Sequence, residues 1–373
     1  MYKWIHGVTL LLFAALLKAQ GPAARIGIYH WGGQHSHSMN EGVDAIAALG
    51  GHVARVALSA RYYRDYNIGQ ECYPRFSLTE AARQQDVARA FDNPAIDVFV
   101  VTAYDGVTFG DCETQLFLNP DFYTAATSAA LIQEYSDFTL HLYQTHRSTH
   151  KRFIISNWEA DNTVYCGQAY VFATDAAFRS ACLAQYQHLY GVASPEDALS
   201  GLKLWFDARA EGIQDGRRRA LAQGIGGMRV YMAPEFNMVR VLRESGFKSV
   251  LYDILPFIAF DYVSYSSYES INAADPAAAL RGDLAVIQNI VGSSAIIVGE
   301  AGFSRRLSNG QDVDRTRAVL AAALEWGVPY AIQWQLYDSQ PSGDFGLYDL
   351  DGQPTALANW FRDCFHDSNT VLK

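Results

Sequence analysis

The sequence predicts an α/β fold, a single (β/α)8 or TIM barrel with long strand-to-helix loops. Eight short runs rich in β-branched and aromatic residues alternate with eight longer helical stretches. Several of the runs, at 97–102, 152–155 and 295–298, are nearly continuous in Ile, Val and Phe, as suits parallel strands covered by helices. The turn after the first run, Trp31-Gly-Gly-Gln-His-Ser-His37, lacks the G-x-G-x-x-G pattern of an open dinucleotide-binding sheet.

In chain order the strands are expected over residues 25–31, 52–59, 95–105, 151–159, 228–236, 259–265, 295–300 and 329–336. The helices are expected over 40–49, 78–91 (with Ser77 as cap), 127–146, 195–223, 238–244 (ended by Gly246), 275–290, 312–326 and 354–365. The extra length falls in three strand-to-helix loops, 61–77, 105–123 and 161–194. All three belong to the face on which barrel enzymes build their sites.

Composition bounds the function. Half of the 373 residues are hydrophobic and 18% are charged, enough apolar material for a large core. The formal charge of −10 argues against a phosphate-binding surface, and so against a nucleic-acid partner. Aromatic residues reach 13%, with 22 Tyr and 7 Trp, more than a core needs. Residues 1–19 read as a signal peptide: Lys3, an apolar run over 8–17, then Ala19. That run is too short to span ~30 Å of hydrocarbon. The mature chain, 20–373, is therefore expected to be one secreted domain, extracellular or periplasmic, with no membrane contact once the signal is cleaved. Secretion permits disulfides, and of the five cysteines the favoured pairs are Cys72 with Cys112 and Cys166 with Cys182. Cys364 is left over and expected to be buried. No cysteine or histidine spacing matches a metal site, so no metal and no cofactor is expected.

In a barrel, chemistry concentrates at the C-terminal strand ends. Here those ends carry Trp31, Arg55, Tyr104-Asp105, Asn157-Trp158-Glu159, Glu235, Asp261-Tyr262 with Tyr265 and Tyr268-Glu269, Glu300, and Trp334. The ring is acidic and aromatic. Two carboxylates with aromatic platforms are the equipment for cutting a sugar acetal, one protonating the leaving oxygen and the other facing the anomeric carbon. Alternation along a strand puts Ile155, Asn157 and Glu159 on one face, and Ile296, Val298 and Glu300 on one face, with Trp158 turned away. Glu159 and Glu300 are the catalytic candidates, with Asp161 as the alternative proton donor. Trp31, Trp158 and Trp334 are the sugar-stacking candidates, and Tyr104, Asp105, Glu235 and Asp261 candidate partners for sugar hydroxyls.

With these residues in hand, the chain resembles clan A glycoside hydrolases. Asn157-Trp158-Glu159, Val298-Gly299-Glu300-Ala301-Gly302 and Gln333-Trp334 look like that superfamily's strand-four, strand-seven and strand-eight motifs in the right order. The stretch from Gly346 to Pro354 resembles one near the end of many such barrels. The chain departs from the pattern in placing Trp158 between Asn157 and Glu159. The resemblance implies a retaining glycosidase: Glu300 as nucleophile with a low pKa, Glu159 as acid/base with a raised one, and carboxyls ~5–5.5 Å apart. It further implies that Arg55 keeps Glu300 ionised, that Tyr265 or Tyr262 donates to the same carboxylate, and that Asn157 binds the sugar 2-OH. The leading expectation is hydrolysis of a β-linked poly- or oligosaccharide. A different class, a catalytically silent barrel that binds glycan or protein, shares the fold and the aromatic residues.

Overall fold

The computed structural model describes residues 22–32, 35–73, 75–110, 112, 115–292, 295–339 and 343–367. The expected signal segment, 1–19, lies outside them. Every expected strand run forms: β1 Ile26–His30, β2 Val53–Leu58, β3 Val98–Ala103, β4 Arg152–Ser156, β5 Arg229–Met232, β6 Glu235–Phe236, β7 Tyr262–Ser266, β8 Ala295–Ala301 and β9 Ala331–Trp334. All pairings are parallel, in the order β5-β4-β3-β2-β1-β9-β8-β7-β6. The two ends of that order, β5 and β6, are separated only by Ala233 and Pro234. They are one stave, so the ring of eight closes through the chain itself. Ala233 N donates to Ile155 O (2.9 Å) on one side, and Ser264 N to Pro234 O (2.9 Å) on the other.

Two apolar layers follow from strand alternation. Tyr29, Val53, Val98, Val100, Ile154, Tyr262, Ile297 and Ile332 fill the barrel. Their neighbours Ile28, Phe99, Phe153, Ile155 and Val298 face the helices, against Leu131, Phe138, Leu284 and Leu320. Each such fully buried aliphatic side chain contributes about 1.5–3 kcal/mol.

The long helices Ala125–Thr145, Pro195–Ala222, Pro276–Val291 and Asp312–Trp326 match expectation. The stretch 78–91 breaks instead into Leu78–Ala82 and Gln85–Asp92. The stretch 161–194, expected as loop, is mostly helical, with Ala160–Val164, Ala169–Thr174 and Ala176–Tyr190. The last of these buries Cys182 and Tyr186 and packs Phe178 and Tyr190 on the core, but exposed Leu183 and Leu189 spread its apolar residues around the helix and blur the stripe in the sequence. Asp175 caps its start, accepting from Ala177 N (2.8 Å) and Phe178 N (3.1 Å), and Gly191 ends it in the left-handed region at φ 70°.

Both expected disulfides form, with Cα–Cα distances of 5.9 Å for Cys72–Cys112 and 6.1 Å for Cys166–Cys182, and Cys364 is buried and free. The second bridge closes a sequence separation of 16 residues. Replacing Cys166 and Cys182 together by Ser is expected to lower unfolding free energy by about 3 kcal/mol, because the unfolded chain regains the entropy of that loop. Chemical denaturation of the double variant checks it, and a loss below about 0.5 kcal/mol would refute the argument. Among the described residues no helix is long and apolar enough to cross a membrane.

Candidate active site

The centre of the site is a buried guanidinium. Arg55 projects inward from β2, fully buried, its charged carbon 4.4 Å from the centre of the Tyr29 ring. It grips Glu235 with two parallel bonds, Nη1 to Oε2 (2.6 Å) and Nη2 to Oε1 (2.8 Å). Nη1 also donates to Gly299 O (2.9 Å), Nη2 to Asn157 O (3.2 Å) and Nε to Thr102 Oγ1 (3.0 Å). Ser264 Oγ donates to the same Glu235 (2.6 Å). A buried charge needs this degree of compensation.

Glu300 and Glu159 converge on that cluster. Glu300 Oε1 lies 3.3 Å from Arg55 Nη2, and Tyr268 OH donates to Glu300 Oε2 (3.3 Å). The backbone N of Glu159 donates to Glu235 Oε1 (3.3 Å), and Asn162 donates to Glu159 Oε2. Glu159 Oε1 has no hydrogen-bond partner among the described residues. The two carboxyls are 4% and 2% exposed. Burial, then the Glu300 and Glu235 charges, push Glu159 well above the ordinary carboxylate range. Burial also raises Glu300, against the pull of Arg55 and the Tyr268 bond, up to about 8. Glu300 is thus raised where a low value was expected, because desolvation outweighs the guanidinium it shares with Glu235.

Strict alternation does not explain how the two glutamates arrive. Ile155, Ile296 and Val298 face the helices, so a regular pleat would send Glu159 and Glu300 outward with them. Two irregularities reverse this. Strand β4 ends at Ser156, and the chain turns before Glu159. In β8 the register shifts against both neighbours, between Tyr265 and Ser266 on one side and between Val298 and Ala301 on the other. Gly299 sits in that shift. A Cβ there would lie 2.0 Å from Ser264 Oγ and 2.2 Å from Glu235 Oε2, so only glycine lets the strand pass the cluster.

Several expected sugar ligands are committed elsewhere. Asp105 caps the turn Gly106–Phe109, accepting from Thr108 N (2.7 Å) and from Trp205 Nε1 (2.8 Å). Glu235 is the counter-charge of Arg55. Asn157 is locked to the backbone of Glu235, with Nδ2 donating to Glu235 O (3.0 Å) and Oδ1 accepting from Glu235 N (2.9 Å). Neither Tyr265 nor Tyr262 reaches Glu300. Tyr265 points outward and donates to Asp283 (2.8 Å), while Tyr262 packs on Tyr231 inside the barrel. Tyr268, beyond the end of β7, does so instead. It stood among the strand-end residues without a role, because it lies past the β-rich run, where alternation no longer applies. Asp161 accepts from the amides of Asn237, Met238 and Val250 (3.1, 3.1 and 2.8 Å) and is no free acid. Asp261 precedes β7, at the opposite pole, paired with Arg217.

Above the cluster opens a cavity of about 410 Å³, lined by Trp31, Trp158, Trp334, Tyr104, Phe109 and Phe117 among others. This size suits a small ligand. Trp158, 37% exposed, lines it rather than turning away, held by its N donating to Tyr104 OH (3.1 Å). Trp31 and Trp334 lie side by side with ring centres 5.6 Å apart. Tyr29 and Thr102, both touching Arg55, belong to the same lining and join the cavity to the cluster, while neither Glu159 nor Glu300 is among the described lining residues. Among the described residues no group of three or more His, Cys, Asp or Glu could hold a metal.

No protein-family model matches the chain, and no curated protein matches its sequence. Solved structures match in shape. A β-glucosidase designated 1317 superposes with TM-score 0.55 at 13% identity, over 87% of this chain and 86% of that one. A rice β-glucosidase in a covalent complex with Glc gives 0.54 at 11%, over 88% and 87%. A broad-specificity endoglucanase from Bacteroides salanitronis gives 0.51 at 11%, over 95% and 94%. From its first stave to its last helix, the chain has the (β/α)8 barrel fold of these β-glucosidases and endoglucanases.

Proposed function

We propose that residues 20–373 form one secreted catalytic domain that hydrolyses β-linked O-glycosidic bonds of poly- or oligosaccharides with retention. Glu300 attacks the anomeric carbon while Glu159 gives its proton to the leaving oxygen. Glu159 then takes a proton from the water that releases the sugar from Glu300. The observation that carries this reading is the convergence of Glu159 and Glu300, from staves four and seven, on one Arg55–Glu235 cluster that touches Tyr29 and Thr102 of an aromatic cavity. The fold shared with β-glucosidases supports it.

The electrostatics suit the division of labour. Glu159, buried and facing the charges of Glu300 and Glu235, keeps its proton as an acid must, and Glu300, next to Arg55 and Tyr268, is the more readily ionised. Turnover therefore rises on an acid limb set by ionisation of Glu300, displaced above the usual carboxylate range. Tyr268→Phe removes a donor to that carboxylate. It is expected to move the acid limb to still higher pH and lower kcat/KM at pH 6 by about fivefold to tenfold, with thermal unfolding little changed. An unmoved pH profile would disconnect Tyr268 from Glu300.

The deciding experiment is hydrolysis of a panel of β-linked glycans with product anomers followed by NMR, alongside labelling with a fluoro-sugar. Retained configuration and a label on Glu300 are the expected results. The low exposure of both glutamates favours, as second reading, a barrel that binds glycan without cutting it. Binding without turnover across the panel would select it.

A further inference from the structure

The cavity holds a cation that the hydrolytic step does not use. Arg61, from the loop after β2, lines it together with Trp31, Trp158 and Trp334. Its side chain is fixed at two points. Nε donates to Cys112 O (2.7 Å), on the loop tied by Cys72–Cys112, and the guanidinium carbon lies 5.0 Å from the centre of the Phe109 ring. Among the described residues Nη1 and Nη2 have no hydrogen-bond or ion-pair partner. An arginine held by Nε and by stacking, with both terminal nitrogens unpartnered among the described residues and beside a cavity, is arranged for two parallel bonds to a planar anion.

Asp65 is the one carboxylate among the cavity's described lining residues. It is engaged by Ser59 Oγ, which donates to Oδ2 (3.1 Å), and by the Trp31 side chain, and it feels the Arg61 charge without a direct ion pair among the described residues. Burial pushes its carboxyl up to about 6, which weakens its repulsion of an incoming anion in mildly acidic solution.

We propose that Arg61 is a specificity-determining residue that reads a carboxylate on the substrate, so that the preferred glycan contains uronic acid. This rests on the glycosidase reading and names its substrate class. Stacking by the Trp residues serves any pyranose face. The charge at Arg61 separates a C6 carboxylate from a C6 hydroxymethyl group.

The test uses a matched pair, cellotetraose and its C6-oxidised form, which differ only in CH2OH against CO2−. Calorimetric binding is measured on the Glu300→Gln protein, and turnover on the unsubstituted one. The oxidised tetramer is expected to bind about tenfold to a hundredfold tighter, the range for a charge-assisted pair. The preference should shrink as ionic strength rises. Arg61→Gln should erase it while leaving cellotetraose binding within about twofold, and Arg61→Lys should keep part of it, which separates lost charge from a loosened loop. Equal binding of the pair, a preference that survives Arg61→Gln, or binding of neither sugar overturns the inference. Turnover without preference leaves the hydrolase reading standing, whereas preference without turnover leaves only the inference.

Discussion

Glu300→Gln is expected to lower kcat on the order of 10⁴-fold or more on any glycan the protein cleaves, because an amide cannot form the glycosyl ester. Its effect on stability should run the other way. The native pKa of Glu300 is raised by burial to about 8 from 4.5, so between those values the native state holds a proton that the unfolded chain has released. Stability then falls as pH rises through that window, and the cost is fully present above about pH 8. Gln carries no such cost. The variant should melt a few degrees above the unsubstituted protein at pH 8, and the difference should vanish by about pH 4.5. A variant that keeps near-normal turnover removes Glu300 from the mechanism. One that melts lower at pH 8 than at pH 5, relative to the parent, contradicts the desolvation argument. Glu159→Ala complements it: azide should restore turnover on substrates with good leaving groups, and absence of rescue moves the proton donor elsewhere.

The second large effect is expected at Arg55. Arg55→Met leaves Glu235 fully buried without its two parallel bonds, beside two further carboxyls. Stranding a buried charge in this way costs about 3–5 kcal/mol, readable as a shift of the denaturation midpoint. Turnover should fall as well, since Glu300 loses the only cation beside it among the described residues and its ionisation moves to higher pH. Adding Glu235→Leu to Arg55→Met should return most of the stability, because removing both partners of a buried pair is often near neutral. It should return little of the activity. A single variant less than about 1 kcal/mol less stable would show that the cluster is not the keystone of the barrel's upper layer.

How much of this could be read in advance varies by element. The strand runs were legible because parallel strands buried on both faces leave continuous Ile, Val and Phe, as at Val98–Ala103 and Arg152–Ser156. The insert helix Ala176–Tyr190 was not, because exposed Leu183 and Leu189 spread apolar residues beyond the face that packs. Glu159 and Glu300 were found at the right strand ends by an alternation argument that the pleat itself does not obey. A strand end in one case and a register shift in the other restore the inward aim. Tyr268 was passed over for Tyr265 and Tyr262 because its position is set by the turn after β7, and its type alone says nothing.

The order and type of residues along the chain determined the barrel, its apolar layers and the placement of two glutamates at the fourth and seventh stave ends. These follow from local preference and from patterns that repeat at a fixed spacing. Only the tertiary structure decided that Arg55 binds Glu235 more closely than Glu300, that Asn157 and Asp105 serve the backbone and its caps, and that Trp158 faces the cavity. Those outcomes depend on competition among buried polar groups distant in sequence. A buried guanidinium or carboxylate takes whichever partner leaves the fewest charges unpaired, and no one-dimensional spacing records that choice.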